Sequence, residues 1–120
     1  MKKVVVTGIG AVTSLGNSFH ESWISVKKGL SGIAPLIRFD VSLMRWKMSG
    51  ELKSFDAGLY LSKKEMTHLD PFIHYAVAAS FMEAEDAGLL QPSEKHKVST
   101  LASGGVIIGS SHGGITTSVI

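Results

Sequence analysis

The sequence predicts an α/β fold, and three observations carry that prediction. A run of consecutive valines opens the chain, a second apolar run lies near its end, and a long stretch with helical spacing falls between them. Two strands joined through a helical crossover make a parallel pair. Such a pair needs helices on its faces and further strands, or another chain, along its edges. The 120 residues are therefore expected to be the front portion of a larger fold.

The first strand is expected over Lys3 to Val12. Val4, Val5 and Val6 follow one another without alternation, the pattern of a central strand buried on both faces. Ser18 with Glu21 three residues on forms a capping box, and Phe19, Trp23, Ile24 and Val26 give the apolar side of a short helix. Gly29 is placed to end it, with Lys27 and Lys28 at its negative pole. Residues 30–61 read as irregular, with turn chemistry around Gly32 and Pro35 and a short strand near Met48 to Leu52.

A second capping box, Ser62 to Glu65, starts a brief helix. Asp70 as N-cap and Pro71 at the first helical position then start a longer one, running to Gly88. Its residues through Met82 are Ala or larger apolar on nearly every face, which predicts burial, and the alanines let neighbours pack close. Pro92 to Lys97 is polar loop. Val106 to Ser110 reads as a second buried strand, leading into His112-Gly113-Gly114.

Composition narrows the function classes. The length suits one domain and is too short for two. At 44% hydrophobic and 18% charged residues, the chain is globular rather than disordered. A net charge of +2, with no run of Lys and Arg longer than two, gives no footprint for nucleic acid. There is no cysteine, which excludes disulfides, thiolate metal sites and a cysteine nucleophile within this chain. That usage fits a reducing, cytoplasmic setting. Lys2 and Lys3 ahead of an apolar stretch imitate a secretory signal, but the stretch is β-branched, broken by glycine and lacks a small-x-small cleavage site. No apolar run approaches the ~20 residues of a membrane helix, so no membrane partner is expected.

Gly8-Ile9-Gly10 after a strand has the start of the dinucleotide fingerprint, but Thr13 stands where its third glycine belongs. A short-chain-dehydrogenase variant begins at Thr7-Gly8 and fails at Val12, and no lysine follows in the P-loop manner. The glycines instead predict close approach of another backbone or helix to the strand. His68 and His74 lie six apart, off one helical face, and Glu65-x-x-His68 is only half of a di-iron pattern, so neither a metal nor another cofactor is expected. His112 is the histidine placed to meet a ligand, in a loop leaving a strand end. Trp23, Trp46 and the phenylalanines read as packing residues, and Lys63-Lys64 as a solvated helix start.

Taken together and in order, VVVTGIGAVTSLGN, SGIAPLIRFD, FDAGLYLSKKEMTHLDPFIHYAVAASFMEAEDAGL and GVIIGSSHGG resemble the N-terminal part of the β-ketoacyl-acyl-carrier-protein synthases, most closely the elongating type II branch. The resemblance implies a thiolase-like α/β/α/β/α layered fold, with residues 1–120 as an incomplete N-terminal portion of the synthase domain and the opening segment as its first, central strand. It implies a homodimer, an acyl carrier protein as partner, malonyl and acyl thioesters as substrates, and decarboxylative Claisen condensation. The family's cysteine, two histidines and lysine lie downstream of the matched region, so no catalytic residue is expected in this chain.

Two sets of peripheral residues carry over by the resemblance. Ser111, His112 and Gly113 match the segment that lines the acyl tunnel, with His112 replacing the usual apolar residue. Burying imidazole against methylenes sacrifices hydrogen bonds, so short or polar acyl groups are expected. By the resemblance, basic residues facing the acidic carrier protein belong just before the helix junction, where this chain has Thr67 and His68 with Lys63 and Lys64 nearby. Lys63, Lys64 and His68 are the docking candidates, and weaker docking or a different partner is expected. Residues 99–104, STLASG, look like an insertion. The alternatives are a non-catalytic subunit of the chain-length-factor kind and an NAD(P)-binding module. Expressed alone, the chain is expected to aggregate or stay partly unfolded through its open sheet edges.

Overall fold

The computed structural model describes residues 3–90 and 104–114. The chain divides into two compact units, one of residues 11–55 and one that combines the first ten residues with residues 56–120. The loop expected at Pro92 to Lys97, and residues 99–103 of the expected insertion, lie outside the described residues.

In the unit of residues 11–55, Thr13 and Gly16 close a tight turn by exchanging backbone hydrogen bonds of 2.9 and 3.2 Å. Helix α1, Phe19–Lys27, follows it. Ser18 caps α1 by accepting from the Glu21 amide, but the Glu21 carboxylate reaches one residue further back than expected, to the Asn17 amide at 2.8 Å. Ser22, one turn in, is buried and its hydroxyl hydrogen-bonds Thr13 Oγ1 at 2.8 Å, fixing the helix to the turn. The far end closes as expected: the Gly29 amide donates to Val26 O and that of Leu30 to Ser25 O, a Schellman motif with Gly29 at φ +67°.

Residues expected to be irregular hold a two-stranded antiparallel ribbon. Strand β1, Ala34–Pro35, pairs with β2, Met48–Ser49, with Ala34 opposite Ser49 and Pro35 opposite Met48. Only β2 is visible in the sequence pattern. Its partner contains a proline, which cannot donate to a ladder and is confined to strand edges.

The other unit holds helix α2, Lys63–His68, and helix α3, Pro71–Asp86, both touching a 3-10 turn at Ala57–Leu59. Ser62 and Glu65 form the full reciprocal capping box of α2. Asp70 caps α3 with Pro71 in its first turn, and α3 ends in a second Schellman motif at Gly88. Those expectations hold. The expectation of a helix buried all round does not: Ala78, fully enclosed, is the one buried residue of α3.

Neither long strand is formed among the described residues. Residues 3–12 and 106–110 belong to no strand ladder, and Val4 is 95% and Ile107 100% exposed. A strand is defined by the neighbour it pairs with, and no described segment pairs with either run. What residues 8–10 meet instead is a helix. An added Cβ on Gly10 would run into the backbone of Ala79, and one on Gly8 into Glu83 O and Ala87. Ala79, Glu83 and the C-cap Ala87 make one stripe along the C-terminal half of α3, so the close approach read from the two glycines is present. The Ile9 amide completes the contact by donating to Asp86 Oδ2 at 2.9 Å.

Candidate functional site

The dinucleotide reading fails on this geometry. A phosphate is held by the N-terminus of a helix, where free amides and the positive dipole end converge. The glycine segment meets the C-terminal half of α3, where Glu83 O and the Asp86 carboxylate present negative charge. That is the wrong pole for a pyrophosphate, and α3 fills the space the glycines leave.

The residues expected to meet substrate share one loop. Ser111, His112 and Gly113 are exposed, and Gly114 turns the chain at φ +82°. The loop is seated on α3. A Cβ on Gly113 would fall 2.6 Å from both Cε2 and Cζ of Phe72. The backbone of Phe72 is fixed, since it directly follows Pro71 and its amide donates to Asp70 Oδ1 at 3.3 Å with Asp70 buried, while the residue itself is 36% exposed. His112 is thus held in a loop whose next residue rests on an aromatic ring.

Lys63, Lys64 and His68 sit on α2 and are all exposed, with Lys64 and His68 four residues apart on one side of the helix. Thr67 Oγ1 donates to Lys63 O at 2.9 Å, which satisfies the hydroxyl within its own helix. Glu65 Oε2 accepts from both the amide and the hydroxyl of Ser62, at 2.8 and 2.6 Å, so its carboxylate serves the cap rather than a metal. Among the described residues no group of three or more His, Asp or Glu side chains is gathered as metal ligands. No helix among them is long and apolar enough to cross a membrane.

None of these residues lines either of two concavities. The larger, about 260 Å³, is lined by residues of the 13–31 region, with Leu15 and Leu30 among the polar side chains, and by Lys53. Two of its hydroxyls are already committed, that of Ser25 to Leu15 O at 3.0 Å and that of Thr13 to Ser22 at 2.8 Å. The smaller, about 100 Å³, lies by Tyr60 and Phe81, whose rings are 6.4 Å apart. Asp40, on an exposed turn, has its carboxyl held below the ordinary aspartate range by the Ser42 amide and then the Ser42 hydroxyl.

Sequence reasoning misses Phe72 and Asp86. Asp86 leaves a signal: an acid in the last turn of a helix opposes the dipole and points to a specific partner. Phe72 leaves none beyond its place just after the proline, because the residue it supports lies 41 positions away.

The chain is similar to known proteins over almost its whole length. The family model described as "Beta-ketoacyl synthase, N-terminal domain" matches residues 1–119. The chain is 44% identical over 89 residues to a 3-oxoacyl-[acyl-carrier-protein] synthase 2 of Synechocystis, covering 74% of this chain and 21% of that protein. It is 38% identical over 114 residues to the protein of that name from Vibrio cholerae, covering 95% and 26%. Among solved structures, the ishigamide ketosynthase/chain length factor matches with a TM-score of 0.65 and 31% identity, over 72% of this chain and 21% of that one. The chain thus spans about a quarter of the curated relatives it matches.

Proposed function

The chain belongs to the β-ketoacyl synthase family, matching its N-terminal domain, and from that premise we propose that it forms the N-terminal portion of a 3-oxoacyl-[acyl-carrier-protein] synthase. The observation that carries this is the family match, which runs almost end to end. The proposed reaction is decarboxylative condensation. An acyl group passes from its thioester to an enzyme thiolate, malonyl carrier protein loses carbon dioxide, and the resulting enolate carbon attacks the enzyme-bound acyl carbonyl. A 3-oxoacyl thioester forms and the enzyme thiol is released. That chemistry needs a nucleophilic thiolate and donors preorganised toward developing oxygen charge. This chain has no cysteine, so the thiolate belongs to the remainder of the synthase.

The complete enzyme is proposed to be a cytoplasmic homodimer with the α/β/α/β/α layering of its family, to which residues 1–120 contribute part of the first half. In that setting the bare apolar runs 4–6 and 106–108 gain the neighbours that a layered sheet supplies, consistent with their exposure here. Lys63, Lys64 and His68 form the docking face for the acidic carrier protein. Lys63→Glu with Lys64→Glu is expected to raise the KM for malonyl carrier protein about tenfold, with kcat little changed, because rim charges act on encounter. Ser111, His112 and Gly113 line the acyl site. His112→Ile is expected to raise turnover of long-chain primers about tenfold relative to short ones. Unchanged relative turnover sinks the role given to His112.

The experiment for the main reading supplies the complete synthase with an acyl thioester and malonyl carrier protein, and measures carbon dioxide and 3-oxoacyl product together. Equal amounts of both are expected. Carbon dioxide without condensation product, or neither, overturns it. The structural neighbour's name favours one second reading, a chain-length-factor type of subunit without the nucleophile. Formation of an acyl-enzyme thioester separates the two, since only the catalytic reading forms one.

A further inference from the structure

We infer that Phe72 is a positioning residue that seats the 111–114 loop and thereby sets the acyl-length preference exerted through His112, an inference that rests on the condensing reading proposed above and deepens it. Three observations carry it. Gly105 and Gly109, earlier in the same segment, have no described atom within 4 Å of an added Cβ, so neither glycine has comparable support. Gly113 is different, with three carbons of the Phe72 ring at 2.6, 2.6 and 3.0 Å from that point. The ring in turn hangs from a backbone fixed by Pro71 and by the buried Asp70 cap. The loop therefore rests on the Phe72 ring at Gly113, the residue next to His112, and a change in the ring is relayed to the imidazole through that one peptide.

Size complementation in the complete synthase tests this. Gly113→Ala puts a methyl group into the ring and is expected to lower turnover of all primers several-fold. Phe72→Ala removes the ring, and is expected to shift the ratio of short-chain to long-chain kcat/KM about fivefold toward long chains. Phe72→Leu keeps much of the bulk and should stay within about twofold of the parent ratio. The double variant, Phe72→Ala with Gly113→Ala, should recover most of the turnover lost in Gly113→Ala, because residues in contact do not act additively. Additive effects, or one length preference shared by all variants, overturn the inference. Failure of the condensing reading looks different: the parent synthase then turns over no primer of any length.

Discussion

Two segments of this chain are nearly alike as sequence and opposite in their surroundings. VVVTGIG, residues 4–10, and GVIIG, residues 105–109, are both β-branched runs punctuated by glycine. In the first, Gly8 and Gly10 lie against the backbone of α3 and leave no room for a side chain. In the second, Gly105 and Gly109 face open space among the described residues, and Ile107 is wholly exposed. Glycine in an apolar run thus has no fixed meaning. It marks a close approach only where another element arrives, and the sequence of the run does not say which element that is.

The largest effect should come from breaking the occupied contact. Gly10→Val is expected to destabilise the complete synthase by about 3 kcal/mol, read from urea unfolding, since neither the α3 backbone nor the segment can yield without losing the Ile9–Asp86 bond. A loss below about 1 kcal/mol would mean that the first segment does not lie against α3 in the complete synthase. The next effect tests the second segment. Ile107→Ser should cost about 2 kcal/mol in the complete synthase, where the proposed layers cover that side chain. A neutral result would mean that the run stays exposed there. The smallest is Asp86→Ala, expected to cost about 1 kcal/mol by thermal melting, because the bond it makes to Ile9 is solvent-exposed.

What is legible in the sequence is local. Ser18, Ser62, Asp70 and Pro71 start the helices and Gly29 and Gly88 end them, because capping is decided within a few residues. The strands are not legible in the same way. Val4 to Val6 carry a buried-strand pattern, yet burial and pairing depend on neighbours distant in sequence. The ribbon at Ala34–Pro35 is hidden by its proline and by the turn residues around it. Of the candidate site, the motif residues Ser111, His112 and Gly113 are readable by resemblance, and the ring beneath them is not.

The central claim is that these residues work as part of a larger condensing enzyme, and the native intact mass of the protein in the cells that express it tests this most directly. The matched span is 26% of the Vibrio cholerae relative, so a mass roughly four times the 12.8 kDa of this chain is predicted. A native polypeptide of 12.8 kDa would contradict the claim, since a chain without cysteine cannot carry the acyl thioester that the proposed reaction requires.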